Sequence, residues 1–353
     1  DDVGPRAYLP DTGGTGMRLS LNDVFSQRNS IDFGTSKPLW EGAQLDIKWR
    51  VGWSTNRNTT FFPDQYGNVT KPSVTSNGSI TRSFVSLPPV FFLSFIGSGI
   101  KKVNELYKSG GNLSSSFTQG FESLPFLAKL PILKDVANYI PRPNWNINWD
   151  GLEKFALFKS FAKRVSLNHS YSSEYSEGWN ITADGKSVTQ SQKVNYGFQP
   201  LAGVTMTFNS LWNGNMTGNL KYSTKTSYDL GITNKNITEA FSRDIGVTFS
   251  YSKTGFDVPL FGVNLKNDIE ISFSYTNSKS SVVIFNMDQF TESGTPQDGT
   301  VRTTLEPRIK YVISSRVTAS VYYKRSSVQP EGAARITPTT TNEAGLDVHV
   351  SIQ

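Results

Sequence analysis

The fold is decided by an alternation of side chains that is clearest in residues 44–53, which read QLDIKWRVGW. Every second residue from Leu45 to Trp53 is apolar, and the residues between them are polar, charged or glycine. A period of two predicts a β-strand with one apolar and one polar face. Its length also matches the roughly 9–11 residues that a transmembrane β-strand needs.

The same alternation recurs from residue 165 to the end of the chain, where many apolar runs finish with Tyr or Trp. The longest run covers residues 301–313. Together with the strands near residues 44–53 and 80–86, these runs predict about twelve strands. The predicted fold class is therefore all-β, with an antiparallel transmembrane β-barrel segment and a short helical insert.

Composition agrees with this fold class and excludes several functions. Of the 353 residues, 37% are hydrophobic and 18% charged, below the roughly 45–50% and 25% of soluble domains, while aromatics stay at 12%. The chain has no Cys and only two His, which leaves little for thiol, zinc or His-based chemistry. The net charge of +6 comes without a Lys/Arg block. We therefore predict no enzymatic activity, no cofactor, no metal site and no nucleic-acid partner.

The chain is divided by changes in period. We predict an irregular Gly-rich leader at 1–42, strands and a polar loop at 43–97, a helical insert at 98–143, and strands from 144 to 353 with a short interfacial helix at 151–162. Long loops are expected at 54–78 and 177–200. In the insert, apolar residues at helical spacing begin at Ile100, and Pro131 suits the first turn of a second helix. The chain opens with Asp1-Asp2 and no signal peptide, so we expect a processed protein or a piece of a longer one.

A membrane barrel and a soluble β-sandwich both alternate, because each buries one face of its strands. Three features favour the barrel: strands of spanning length, aromatic residues at strand ends, and alternating short and long loops. The longest mostly apolar stretch, residues 85–96, is interrupted by Pro88 and Pro89 and is too short for a transmembrane helix.

Two sets of residues follow from the barrel interpretation. Aromatic side chains near strand ends and in the Lys-rich helix are predicted to anchor the chain at membrane interfaces: Trp49, Trp53, Trp145, Trp149, Phe155, Phe158, Tyr171 and Tyr175. Charged side chains on the polar face are predicted to face a lumen: Lys48, Arg50, Arg302, Glu306, Arg308 and Lys310. The charges near residues 302–310 fit a pore lining or a solvated face neutralised by its neighbours, and the sequence leaves both open.

One stretch resembles a known family. Residues 143–176 read PNWNINWDGLEKFALFKSFAKRVSLNHSYSSEYS, and this order of an Asn-Trp strand, Asp-Gly-Leu, a Phe/Lys-rich helix and a Tyr-Ser-rich strand resembles the C-terminal region of the SprA/Sov family. The strands at 200–256 are similar to those that follow in that family. Its members are the outer-membrane translocons of the type IX secretion system, which also serves gliding motility.

The resemblance implies that these strands are a wall segment of a much larger single-chain barrel in the bacterial outer membrane. It implies a wide hydrated lumen through which folded cargo is exported. The implied partners are the remainder of the barrel polypeptide, a shuttle β-barrel protein, a periplasmic plug, exported cargo and outer-membrane lipid. The alternative is a stand-alone diffusion pore or adhesin barrel of about twelve strands.

Overall fold

The computed structural model describes residues 21–61, 72–83, 99–122, 143–182, 185–210, 212–260 and 263–351. These residues form twelve β-strands and two helices of ten residues each, with two shorter helical turns. The strands are β1 (Leu21–Trp40), β2 (Ala43–Phe61), β3 (Ser73–Ser83), β4 (Asn144–Asp150), β5 (Ala162–Ile181), β6 (Ser187–Phe208), β7 (Asn215–Gly231), β8 (Asn236–Leu260), β9 (Val263–Asn286), β10 (Thr295–Ser314), β11 (Val317–Pro330) and β12 (Thr339–Val350).

All twelve strands belong to one antiparallel sheet, in which nearly every strand pairs with its neighbours in sequence. The strand order is β1-β2-β3-β5-β6-β7-β8-β9-β10-β11-β12, and β4 lies between β2 and β5 beyond the end of β3. Among the described residues β1 and β12 do not pair with each other, so the sheet is open at both edges. The predicted all-β antiparallel fold with about twelve strands and a helical insert is confirmed.

The two ends of the sheet differ in their connections. At one end, here the turn end, successive strands are joined at residues 41–42, 151–161, 209–214, 261–262 and 315–316. At the other, the helix end, they are joined at residues 62–72, 182–186, 232–235, 287–294 and 331–338. The two-residue link at 41–42 needs Gly42, whose φ is +77° and where a Cβ would lie 1.9 Å from the Asp150 carbonyl oxygen.

Strands β3 and β4 share one strand position, and the helical insert leaves the sheet between them. Two side chains replace the missing backbone partners at this break. Ser83 Oγ accepts the Arg50 N–H at 3.1 Å, and Asn144 Oδ1 accepts the Ser173 N–H at 2.8 Å. The ladders on both sides therefore stay hydrogen-bonded across the break, as buried backbone groups require.

The insert contains α1 (Gly99–Lys108) and α2 (Leu113–Glu122), which pack on the apolar face of the sheet near its helix end. Ile100 and Val103 of α1 and Phe117 and Phe121 of α2 are buried with tyrosines and aliphatic side chains of β5 to β9. The Phe121 ring lies 4.6 Å from the Tyr228 ring. Neither helix, nor any other helix of the described chain, is long and apolar enough to cross a membrane.

Several boundaries differ from the sequence prediction. Residues 21–40 form strand β1 rather than an irregular leader. Residues 54–61, 73–78, 177–181 and 187–200 belong to β2, β3, β5 and β6 rather than to loops. At 54–61 both faces of the strand are polar, so alternation is lacking, whereas in β1 and β6 the alternation is confined to short runs such as Val194, Tyr196 and Phe198. Helix α1 is confirmed, but the second described helix is α2, and the helix expected after Pro131 lies outside the described residues, as do residues 1–20.

Candidate lipid-facing surface

Register pairs place the apolar residues of successive strands on one continuous face of the sheet. In β7 these are the even-numbered residues, and Leu220 pairs with Val204 of β6 and Val247 of β8. The row continues to Tyr275 of β9 and Leu305 of β10. We call this the apolar face, and the opposite one, rich in Ser, Thr, Asn and charged residues, the polar face.

The apolar face is partly bare toward the turn end. Val165 and Met216 are buried there, but several large apolar side chains are more than a third exposed, with exposed fractions of 44% for Leu220, 48% for Ile309 and 56% for Val321. Isolated exposed apolar residues are common on protein surfaces, but a contiguous belt across many strands marks contact with another apolar phase. This belt is a candidate lipid-facing surface.

The apolar belt shifts steadily along the strands as it crosses the sheet. Its centre is Trp49 in β2 and Val348 in β12. Followed through the register pairs, Trp49 is level with Thr226 of β7, whereas Val348 is level with Gly214, twelve positions nearer the turn end. The apolar stretches of β5 and β9, residues 165–171 and 269–275, fall between these limits in order.

This shift measures how far the strands tilt from the perpendicular to the belt. Twelve residues at about 3.3 Å each, against nine strand-to-strand steps of about 4.8 Å, give a slope of about 40°. Strands of transmembrane barrels tilt by roughly 35–45° to the membrane normal. A belt that is level in a membrane therefore has to cross such strands with the drift seen here.

Aromatic residues mark both borders of the belt. In eight strands the apolar stretch finishes, in chain direction, at an aromatic side chain, and in β10 only Ile313 follows the last aromatic residue. Because neighbours are antiparallel, these residues alternate between the two borders. The helix-end border carries Trp53, Tyr171, Tyr222, Tyr275 and Tyr323, and the turn-end border carries Trp149, Phe208, Tyr251 and Tyr311. Two aromatic rows at the edges of an apolar band are typical of membrane barrels.

The Asn-Trp motif of β4 contributes to both faces. Trp145 and Trp149 lie on the apolar face, where Trp145 stacks on Tyr171 at 4.3 Å, and the asparagines between them lie on the polar face. The Trp145 indole N–H donates to His169 Nε2 at 3.1 Å, and His169 Nδ1 lies 2.7 Å from the Leu201 carbonyl oxygen. This histidine is therefore packed and hydrogen-bonded.

The turn-end rim carries a short aromatic and basic segment. A 3₁₀ turn (Leu152–Lys154) and α3 (Ala156–Lys159) connect β4 to β5. Phe155 contacts Trp149 edge-on, and both Phe155 and Leu157 remain more than half exposed. Lys154 pairs with Glu41 of the β1–β2 turn, which lowers the pKa of the Glu41 carboxyl and raises that of the Lys154 amine.

The predicted interface residues occupy different environments. Trp49, Trp53, Trp145, Trp149, Phe155 and Phe158 lie on the apolar face or on the turn-end rim, where none is fully buried. Tyr171 and Tyr175 lie on the same face, but each is only 1% exposed. Tyr175 lies beneath the helices, where its hydroxyl is 3.1 Å from Thr118 Oγ1 and donates to Glu177 Oε2 at 2.6 Å.

The six predicted lumen residues all lie on the polar face, and several of them are paired. Arg308 lies 3.2 Å from Glu306 and 3.6 Å from Asp347, and its guanidinium covers the Tyr322 ring at 4.7 Å. Lys310 is 3.8 Å from Glu270, and Arg50 is 3.3 Å from Asp32. Lys48 is level with Gly34 and Asn144, and Arg302 is level with Ser278 and Val328. Several of these charges are therefore neutralised by neighbours, which fits both a solvated face and a pore lining.

Two features could not be predicted from the sequence: the covering of the apolar face by α2 and the tilt of the strands relative to the apolar belt. Helix α2 carries Ser and Thr at four of its ten positions, so its short apolar stripe of Leu113, Phe117 and Phe121 is a weak signal. The drift of the apolar belt depends on register, which the sequence leaves open between strands joined by long connections. Among the described residues no group of three or more His, Asp or Glu side chains could hold a metal ion.

No family model and no curated protein matches this chain. Among solved structures it is similar to OmpTdeltaL8, the loop L8 deletion mutant of OmpT, an outer membrane protein of Vibrio cholerae. The identity is 10%, and the match covers 94% of this chain and 99% of that chain with a TM-score of 0.23. A likeness at this score carries no argument about fold or function.

Proposed function

We propose that this chain is part of the wall of an outer-membrane β-barrel channel, with its apolar face in lipid and its polar face toward a hydrated lumen. The observation that carries this proposal is the drift of the apolar belt, whose slope of about 40° matches strands tilted in a membrane. Lipid offers no hydrogen bonds, so a spanning sheet must pair every strand and close on itself. The twelve described strands leave both edges unpaired, which favours a wall segment completed by further strands.

Within that proposal, the resemblance of residues 143–176 to the SprA/Sov family supports a protein-export channel of the type IX system. Transport through such a wall needs a wide wet surface rather than catalysis. The polar face fits this requirement, because small residues such as Gly246, Thr248, Ser272 and Ser274 flatten it. Several charges on it are paired, namely Arg308 with Glu306 and Asp347, and Lys310 with Glu270.

Cysteine labelling tests the membrane placement directly, since the chain has no native Cys. Neighbouring positions provide matched variants: Leu220→Cys on the apolar face and Asn219→Cys on the polar face. In outer-membrane vesicles we expect a lipid-soluble maleimide to label Cys at 220, and a water-soluble one to label Cys at 219. Labelling of both positions by the water-soluble reagent alone would reject the membrane placement and favour a soluble sheet.

Photocrosslinking tests the export function. A photoreactive residue in place of Ser274 faces the proposed lumen, and one in place of Phe273 faces lipid as the matched control. In cells that are secreting, we expect cargo adducts at position 274 and none at 273. Lipid labelling at 220 without cargo adducts at 274 would favour a diffusion pore or adhesin.

Peptide mapping of the native outer-membrane band separates the wall segment from a stand-alone barrel. A polypeptide many times larger than 39.1 kDa is the expected result. A band near 39.1 kDa without a companion chain would favour the barrel of about twelve strands.

A further inference from the structure

On strands β8, β9 and β11, three basic side chains stand on the apolar face where the apolar belt ends toward the helix end. Arg243 of β8 is the next residue on this face beyond Ile245, and Arg325 of β11 is the next beyond Tyr323. Lys279 of β9 lies directly opposite Arg243 in the register. We call Arg243, Lys279 and Arg325 the basic border.

The basic border is only partly neutralised. Lys279 pairs with Glu331, which comes close because Gly299 has no side chain; a Cβ there would lie 2.7 Å from the Glu331 carbonyl oxygen. Arg243 donates from Nη2 to the neutral Asn277 amide oxygen at 3.2 Å. Arg325 is exposed, and its cross-strand neighbours are Leu305 and Asn342. Two like charges held opposite each other destabilise a sheet unless an anion lies between them.

We infer that the basic border binds the phosphate groups of the outer-leaflet glycolipid, lipopolysaccharide. This inference rests on the proposed function, because it requires the apolar belt to lie in an outer membrane. In such barrels the short turns face the periplasm and the longer connections face outward. The helix end carries the longer connections here, so the basic border lies at the level of the outer-leaflet headgroups.

The chemistry of the border fits phosphate. Arg guanidinium groups bind phosphate through two parallel hydrogen bonds, and Lys binds it as a point charge. The cations stand in line with the tilted border of the belt across β8, β9 and β11, so one lipid whose acyl chains lie on Leu220, Ile271 and Val321 meets them with its headgroup. On β8 and β9 the helix pair covers the sheet beyond this level, where Ile237 and Phe285 are buried, so Arg243 and Lys279 lie between the protein cover and the apolar belt.

The test uses the full native polypeptide, purified from outer membranes in mild detergent, with retained lipopolysaccharide counted by native mass spectrometry. We expect Arg243→Gln with Arg325→Gln to lower the retained amount by roughly tenfold or more, since each lost contact is charge-assisted. Arg325→Gln alone, at an exposed position, is expected to show a smaller loss without a folding defect. The matched control, Lys225→Gln with Lys324→Gln, removes two charges from the polar face of nearby strands and should leave retention unchanged.

Two results would overturn the inference. The first is wild-type retention in the double variant. The second is equal binding of lipid A from which the phosphates were removed, or equal displacement by phosphatidylglycerol. Labelling of Leu220→Cys by the lipid-soluble maleimide, in the outer membranes from which the protein is purified, distinguishes the two proposals. If this labelling fails, the proposed function is rejected as well. If it succeeds but the double variant retains as much lipopolysaccharide as the wild type, only the binding of lipopolysaccharide at the basic border is rejected.

Discussion

Leu220 and Leu230 lie on the same strand and the same face of the sheet, ten residues apart, but Leu220 is 44% exposed and Leu230 only 2%. The difference arises because the helix pair covers Leu230 but not Leu220. Near the helix end, α1 and α2 bury the apolar face, whereas toward the turn end many of its large side chains remain more than a third exposed. Burying one such side chain stabilises a protein by about 1.5–3 kcal/mol, so a belt with exposed apolar side chains on many strands is costly in water. The belt therefore needs an apolar solvent, and the covered region does not.

The largest expected effect concerns the protein cover. Phe117→Ala removes a fully buried ring at the centre of the helix–sheet contact and should cost about 3–5 kcal/mol. We expect hydrogen exchange to rise in α1, α2 and the helix-end halves of β5 to β8, while the apolar belt keeps its labelling pattern. Ser115→Ala, at an exposed position of α2, is the control. Equal loosening of both regions would contradict the division between cover and belt.

The next effect concerns the exposed part of the apolar face, the apolar belt. Leu220→Arg places a charge in the middle of the belt, which costs about 2–4 kcal/mol at the centre of a bilayer. Urea unfolding in vesicles of extracted lipid should show this loss, whereas Asn219→Arg on the polar face should change stability little. A Leu220→Arg protein as stable as its control would mean that water already covers the belt.

A smaller effect is expected from the polar contacts under the helices. Gln192 donates to both Thr118 and Tyr175 there, at 3.0 and 2.9 Å, and Tyr175 donates to Glu177. Tyr175→Phe leaves these groups short of a partner and should cost about 1–3 kcal/mol, measured by denaturant unfolding. Tyr323→Phe, which removes an exposed hydroxyl bonded to Asn342, provides the control and should be nearly neutral. A similar loss of stability in both variants would mean that the buried hydrogen bonds of Tyr175 stabilise the protein no more than the exposed one of Tyr323.

The smallest effect concerns the turn-end rim. The Lys154 amine holds the pKa of Glu41 below its usual value, so the pair stabilises the rim above about pH 4.5 and loses this contribution as the pH falls through the lowered value. Because both side chains are exposed, solvent screens the pair and the change is small. The rim should loosen slightly at acid pH in hydrogen exchange, and Glu41→Gln should abolish that dependence. A dependence that persists in the variant would assign it to another group.

Much of the fold could be predicted wherever one face of a strand is apolar. The runs at 45–53, 269–275 and 346–350 each show the alternation and lie within observed strands. The prediction failed at 21–40 and 187–200, where the alternation is confined to short runs such as Val194, Tyr196 and Phe198, and at 54–61, where both faces are polar or charged. There the hydrogen bonds of a neighbouring strand, rather than the residue's own side chain, hold the chain extended.

The amino-acid sequence by itself determined the two-faced strands, the aromatic residues at their ends and the absence of thiol chemistry, because each depends only on residue type and a period of two. Tertiary contacts and strand register set which half of the apolar face is covered, and they tilt the strands by about 40° from the perpendicular to the belt. Both depend on register and on contacts between residues far apart in the chain, such as Phe121 with Tyr228. A pattern within one strand carries no information about how far that strand slides against the next.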